Sequence, residues 1–332
     1  MTFTNSTGEQ GAAIIAVWFA DITVEDSLFE ALTTQLDGGA VYMTIGANLS
    51  VARSTFRNCT GQNAAIAIVG GVGGGDDFID VEMVDTLFEF NGGPLGEGGA
   101  INTALSSSSP NMNTIVNLTL IRCTFNNNRA SSGGALRNGP ATMLNVTDCA
   151  FNSNVAQGNG GAIYSRGPLV VTGSSFFNNT ASLQYGGGAL LLAFNIAGGF
   201  GVGQQVRSCS FTNNTSPGGS GSAIAMGGNN LIVNISDSSF TGNAASGPFG
   251  AVARVGGPFG PFDAVGNQPE VQVLTSLIQV LDSSFEGNTA AASNSTAVYA
   301  AGDLVNACGS GNDYANDPVP QTTIPDPLPI CT

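Results

Sequence analysis

The 332-residue sequence predicts an all-β fold: a single-domain parallel β-helix of about ten coils over residues 1–302, followed by a Pro-rich tail over 303–332. Three recurrences predict it. Phe returns at positions 3, 29, 56, 88, 125, 151, 176, 211, 240 and 285. Asn stands three residues after it at Asn91, Asn128, Asn154, Asn179, Asn214, Asn243 and Asn288. About ten residues after each Phe comes a small pair and then Ala-aliphatic, clearest at Gly98-Gly99-Ala100-Ile101, Gly133-Gly134-Ala135-Leu136, Gly160-Gly161-Ala162-Ile163 and Gly187-Gly188-Ala189-Leu190. Weaker copies include Ala223-Ile224, Ala251-Val252 and Ala297-Val298.

The residues before the Phe are as regular. Five positions upstream lie Val51, Met83, Leu120, Val146, Val171 and Ile235, and seven upstream lie Leu49, Val81, Leu118, Leu144 and Leu169. Two upstream the residue is small: Ser54, Thr86, Cys123, Cys149, Ser174, Cys209, Ser238. Alternation of period two marks short half-buried strands, and no helical period competes with it. Such a unit cannot bury its apolar face alone, so copies must stack. Three strands and three corners are expected per coil. Like residues then lie about 4.8 Å apart. The column Phe88, Phe125, Phe151, Phe176, Phe211, Phe240 and Phe285 is expected to pack ring over ring, and the Asn column to bond amide to amide at a buried corner. Insertions fall after the Ala-aliphatic strand, at 70–77, 103–113, 197–205 and 256–269, in Gly-, Ser-, Pro- or Asn-rich stretches suited to exposed loops. The tail carries Pro318, Pro320, Pro325, Pro327 and Pro329 and reads as a cap or extended arm.

Composition removes whole classes of chemistry. The chain has 8 Lys+Arg, 23 Asp+Glu and no His, a formal charge of −15, and every basic residue is Arg. Without His there is no imidazole base or metal ligand, and without Lys no Schiff base or phosphate-loop lysine. So acidic a chain does not grip nucleic acid. The arginines, at 53, 57, 122, 129, 137, 166, 207 and 254, read as occupying unlike slots with no stripe. No apolar run approaches the ~20 residues of a membrane helix, and no charged start with an apolar segment marks a signal peptide. The chain reads as a mature or trimmed segment of a longer secreted precursor.

The pair Phe-x-x-Asn and Gly-Gly-Ala-Ile resembles the repeat of the chlamydial polymorphic outer membrane proteins, over residues 1–302. The resemblance implies a right-handed β-helix on a cell surface, often adhesive. It does not extend to an autotransporter's C-terminal barrel, which the Pro-rich tail is unlike. The sequons below favour a secreted glycoprotein of a microbial eukaryote.

Asn-x-Ser/Thr occurs at Asn5, Asn48, Asn58, Asn117, Asn145, Asn178, Asn213, Asn214, Asn234 and Asn294. All but Asn214, which falls in the inward ladder, are expected to face water and carry N-glycans. Only 9% of residues are charged while 42% are hydrophobic, so glycans would hydrate a surface that charge does not. No other cofactor is expected. Of the six cysteines, Cys123 and Cys149 hold one slot in consecutive coils and are expected to form a disulfide. Cys308 and Cys331 bracket the tail and are expected to clip it, while Cys59 and Cys209 are expected to remain buried thiols. No catalytic residue is assigned. Asp76, Asp77 and Asp80 are the only candidates for a Ca²⁺ site, and a solvated loop and strand face is the preferred reading. Trp18 is either a carbohydrate platform or, more commonly for one Trp on an apolar strand, core or interface.

The function these features predict is non-enzymatic. The chain reads as an extracellular rod that assembles with itself, through coil ends or tail, into a filament or coat. An adhesin binding cells through its inserted loops is the alternative, and a polysaccharide-acting enzyme a third.

Overall fold

The computed structural model describes residues 1–44, 46–69, 78–103, 115–182, 186–194, 203–219, 221–228, 231–246, 253–255, 276–290, 298–300 and 305–310. Every strand pairs with the corresponding strand of the neighbouring coil, in parallel. Three ten-stranded sheets run the length of the stack. One contains the Phe, as in Thr124–Asn126 and Ala150–Asn152. A second contains the Ala-aliphatic strands, as in Leu136–Asn138 and Ile163–Ser165. The third contains the aliphatic pair, as in Ile115–Ile121 and Thr142–Thr147. The protein is a parallel β-helix.

A fourth, six-stranded sheet of two-residue strands, such as Arg129–Ala130 and Val155–Ala156, follows the Asn corner. Three strands per coil were expected; many coils have four. The short strand buries a small side chain five residues after the Phe, as at Ala130, Ala156 and Ala181. Val305–Ser310 pairs with Ser276–Leu281, so the aliphatic sheet runs past residue 302. In the penultimate coil Ala253, not Val252, sits opposite Ile224.

Phe pairs with Phe in every coil, from Phe3↔Phe29 to Phe240↔Phe285. Ring centroids lie 4.5 to 5.1 Å apart. The planes of Phe125 and Phe151 are within 2° of parallel. The coil rise exceeds the thickness of a ring, so parallel rings tilt and slip into the offset stacking that aromatic quadrupoles favour. From Phe29 to Phe285 the column is buried.

Two corners turn through left-handed backbone. One lies three residues before the Phe, at Asp26, Arg53, Asp85, Arg122 and Asp148, and the other two residues after it, at Asn5, Asn58, Asn127, Asn178 and Asn213. Asp and Asn tolerate positive φ better than most residues. The Gly-Gly pair makes two separate demands. Gly160 has φ +67, and a Cβ on Gly161 would strike the carbonyl oxygen of Gly188 in the next coil.

Replacing Phe151 with Ala is expected to cost about 3–5 kcal/mol, because neighbours held by two coils cannot collapse into the gap. Gly161→Ala is expected to destabilise as well. Urea midpoints for both variants against the parent chain check this.

Candidate functional site

The polar interior is the most distinctive chemistry of the chain. Each ladder Asn is fully buried and uses its whole amide. Asn154 Nδ2 donates to Phe125 O (2.9 Å) and to Asn179 Oδ1 (3.0 Å). Asn154 Oδ1 accepts from the backbone N–H and the Nδ2 of Asn128, each at 3.0 Å. The same bonds repeat from Asn91 to Asn243, and Asn288 Oδ1 accepts from Asn243. Asn91 Oδ1 also receives the backbone N–H of Cys59 at 3.0 Å, and there the amide chain stops. Cys59 occupies the ladder slot, and its thiol donates instead to Phe29 O (3.5 Å).

Cys123, Cys149 and Cys209 belong to the small-residue column before the Phe. There a side chain donates to the carbonyl two residues back and accepts an N–H from the preceding coil: Ser174 Oγ donates to Thr172 O (3.0 Å) and accepts from Cys149 N (3.0 Å). Cysteine makes the same bonds. Cys149 Sγ donates to Thr147 O (3.3 Å) and accepts from Cys123 N (3.3 Å). The expected Cys123–Cys149 disulfide is therefore corrected: both are free, buried thiols. Side chains stacked in one column run parallel, and each sulfur is held by its backbone bonds. The hydrogen bond from Cys123, with burial, pushes the Cys149 thiol well up. Burial pushes Cys59 and Cys209 up to about 11. Cys308 contributes its backbone to Val305–Ser310, and Cys331 lies outside the described residues.

Two of the eight arginines share a slot, against the expectation that all occupy unlike ones. Arg53 and Arg122 share the corner slot before the small-residue column and alternate there with Asp26, Asp85 and Asp148. Arg53 Nε lies 2.8 Å from Asp26, and Arg122 Nε 2.8 Å from Asp85. These bonds hold both carboxyls below the usual carboxylate range. On the Phe sheet, Arg57 lies 3.5 Å from Glu30 and 2.7 Å from Glu89. The alternation was present in the sequence as the column three residues before each Phe, visible only once coils are aligned.

Asp80 belongs to a third ladder, on the outer face of the aliphatic sheet. Asn48 Nδ2 donates to Asp21 (2.8 Å), Asp80 N to Asn48 Oδ1 (2.9 Å) and Asn117 Nδ2 to Asp80 (2.7 Å). Asp76 and Asp77 lie outside the described residues. Among the described residues no three His, Cys, Asp or Glu converge as metal ligands. Among them, too, no helix is long and apolar enough to cross a membrane.

Of the sequons, Asn5, Asn58, Asn145, Asn178 and Asn213 are exposed, and Asn48, Asn117 and Asn234 partly so. Asn214 is buried in the ladder, and Asn294 lies outside the described residues. The register of four sequons has a backbone cause. Asn5, Asn58, Asn178 and Asn213 occupy a corner with φ of 52 to 56°, which suits Asn, and a Thr column follows two residues on. Trp18 is 69% exposed with φ +58, so it is not core.

The Chlamydia polymorphic membrane protein repeat family matches residues 122–139 and 148–166. Those two stretches, which are consecutive coils of the stack, are similar to that repeat. Over 119 residues the chain is 34% identical to metabotropic glutamate receptor-like protein R of Dictyostelium discoideum. That alignment covers 35% of this chain and 7% of that protein. No solved structure matches.

Asn154→Leu is expected to lower stability by about 3 kcal/mol, since it strands the Asn128 amide donors and the Phe125 carbonyl. Exposed Asn145→Ala is expected to stay within about 0.5 kcal/mol of the parent. Urea titration measures both.

The buried thiols give a pH signature. The protonated thiol is the form the fold favours, so this stability is complete below pH 9.0, the ordinary thiol value. It is lost as pH rises through about 11, where the folded Cys59 and Cys209 ionise. The urea midpoint should fall across that window, and fall less in Cys209→Ser, which keeps the column's usual side chain.

Proposed function

We propose that this chain is a non-catalytic, surface-displayed rod whose N-glycans face water from its corners. The observation that carries the reading is where the side-chain chemistry is placed. The Asn amides and small hydroxyls and thiols are engaged in bonds between coils, and the corner arginines in pairs with their neighbours. The best-defined sequons stand at exposed corners. Asn48, Asn117 and Asn178 are the least suited to modification, because their Nδ2 atoms already donate to Asp21, Asp80 and Ser153.

The finer reading is that rods associate end to end, or through the tail, into a filament or coat. It is supported by the outward-facing apolar side chains Ile15, Trp18 and Phe19, which are 57, 69 and 65% exposed and which a second copy would cover.

Intact mass of the secreted protein before and after glycosidase treatment tests the glycans; an unchanged mass overturns that part. Negative-stain images at high concentration test assembly. Strings of rods are expected, and monodisperse single rods would refute association while leaving the rod itself intact.

A further inference from the structure

The corner ahead of the Phe changes character along the rod. In the first coils it is filled by long side chains, with Arg53 lying on Asp26 and Arg122 on Asp85. In later coils the same slot holds Gly173, Ser208, Asp237 and Asp282, and a groove of about 590 Å³ opens across four coils. Two serine columns line it. The buried one, containing Ser174 and Ser238, is explained by the fold, since each hydroxyl bonds backbone on both sides. The outer one is Ser175, Ser210, Ser239 and Ser284, on four successive strands of the Phe sheet. Nothing in the fold demands serine there, because earlier coils place Thr55, Leu87, Thr124 and Ala150 in that slot. Two residues beyond Ser175, on the same face of the same strand, Phe177 is 46% exposed.

We propose that this groove binds a neutral oligosaccharide lying along the rod axis. Hydroxyls spaced by the coil rise can donate to and accept from the hydroxyls of successive sugars. Asp237 and Asp282 are acceptors for sugar hydroxyls, and Arg207 lies 3.5 Å from Asp237 at the rim. Phe177 offers an apolar ring for the C–H face of a pyranose, outside the hydroxyl columns. The two carboxylates, within a chain of formal charge −15, exclude uronate and sulfated polymers. The groove is independent of rod assembly, so either reading can fail without the other.

The test is calorimetric titration of the full chain with cellohexaose, mannohexaose and maltohexaose, and with hexagalacturonate as the anionic comparison. Saturable binding of at least one neutral hexaose is expected, with none for hexagalacturonate. Asp237→Ala combined with Asp282→Ala should weaken binding about tenfold or more, since each removes a charged acceptor. Phe177→Ala should weaken it too, Ser239→Arg should block it, and Asn145→Ala on another sheet should leave it unchanged. Circular dichroism confirms folding; Phe177 is exposed and Ser239 partly so, which keeps the test open if the double variant does not fold. Failure of all three neutral hexaoses to bind overturns the proposal. So does equal binding of hexagalacturonate, or parental affinity in Ser239→Arg and Phe177→Ala.

Discussion

Register between neighbouring coils is the constraint on which the rest of the structure depends. Each backbone N–H and C=O in the strands finds its partner in the adjacent turn, so every residue type meets its own kind or a complement one rise away. Phe meets Phe, the Asn amide meets the Asn amide, and Arg meets Asp. A slip of one residue would turn every apolar side chain outward. It would also uncouple the Asn chain, leaving buried amides without partners. The columns therefore fix register as well as supplying cohesion. Stability becomes a sum over adjacent turns, with no single centre.

The sequence made most of this legible because a stacked fold writes its core as a period. The Phe and Asn columns, the small residue before the Phe and the Gly-Gly corner can all be read by aligning the chain with itself. The fourth short strand was not read, because its signal is one small residue, such as Ala130 or Ala156, in a stretch without alternation. The weak copy at Ala251-Val252 misplaced its strand by one residue: three small or β-branched residues in a row, Ala251, Val252 and Ala253, leave the alternation in the sequence ambiguous.

The candidate site was less legible, for physical reasons. A column position gives separation but not side-chain direction, so Cys123 and Cys149 read as a bridge when each sulfur is held by backbone. Positive φ is invisible in sequence, and so the Asn of four sequons carried a second cause unseen. The Arg53 and Arg122 corner went unread along the chain because its alternation with Asp exists only across coils. The serine groove was missed for the same reason: low-complexity Ser pairs gain meaning only when four coils are laid side by side.

The Asp26–Arg53–Asp85–Arg122–Asp148 corner bears on how such a chain can change length. Removing one turn from that stretch by recombination would bring like charges face to face; removing two would preserve the alternation. The downstream corner, built from Gly173, Ser208 and two carboxylates, carries no such parity. Evolution by coil duplication should thus proceed in steps of two near one end of the molecule and in single steps near the other.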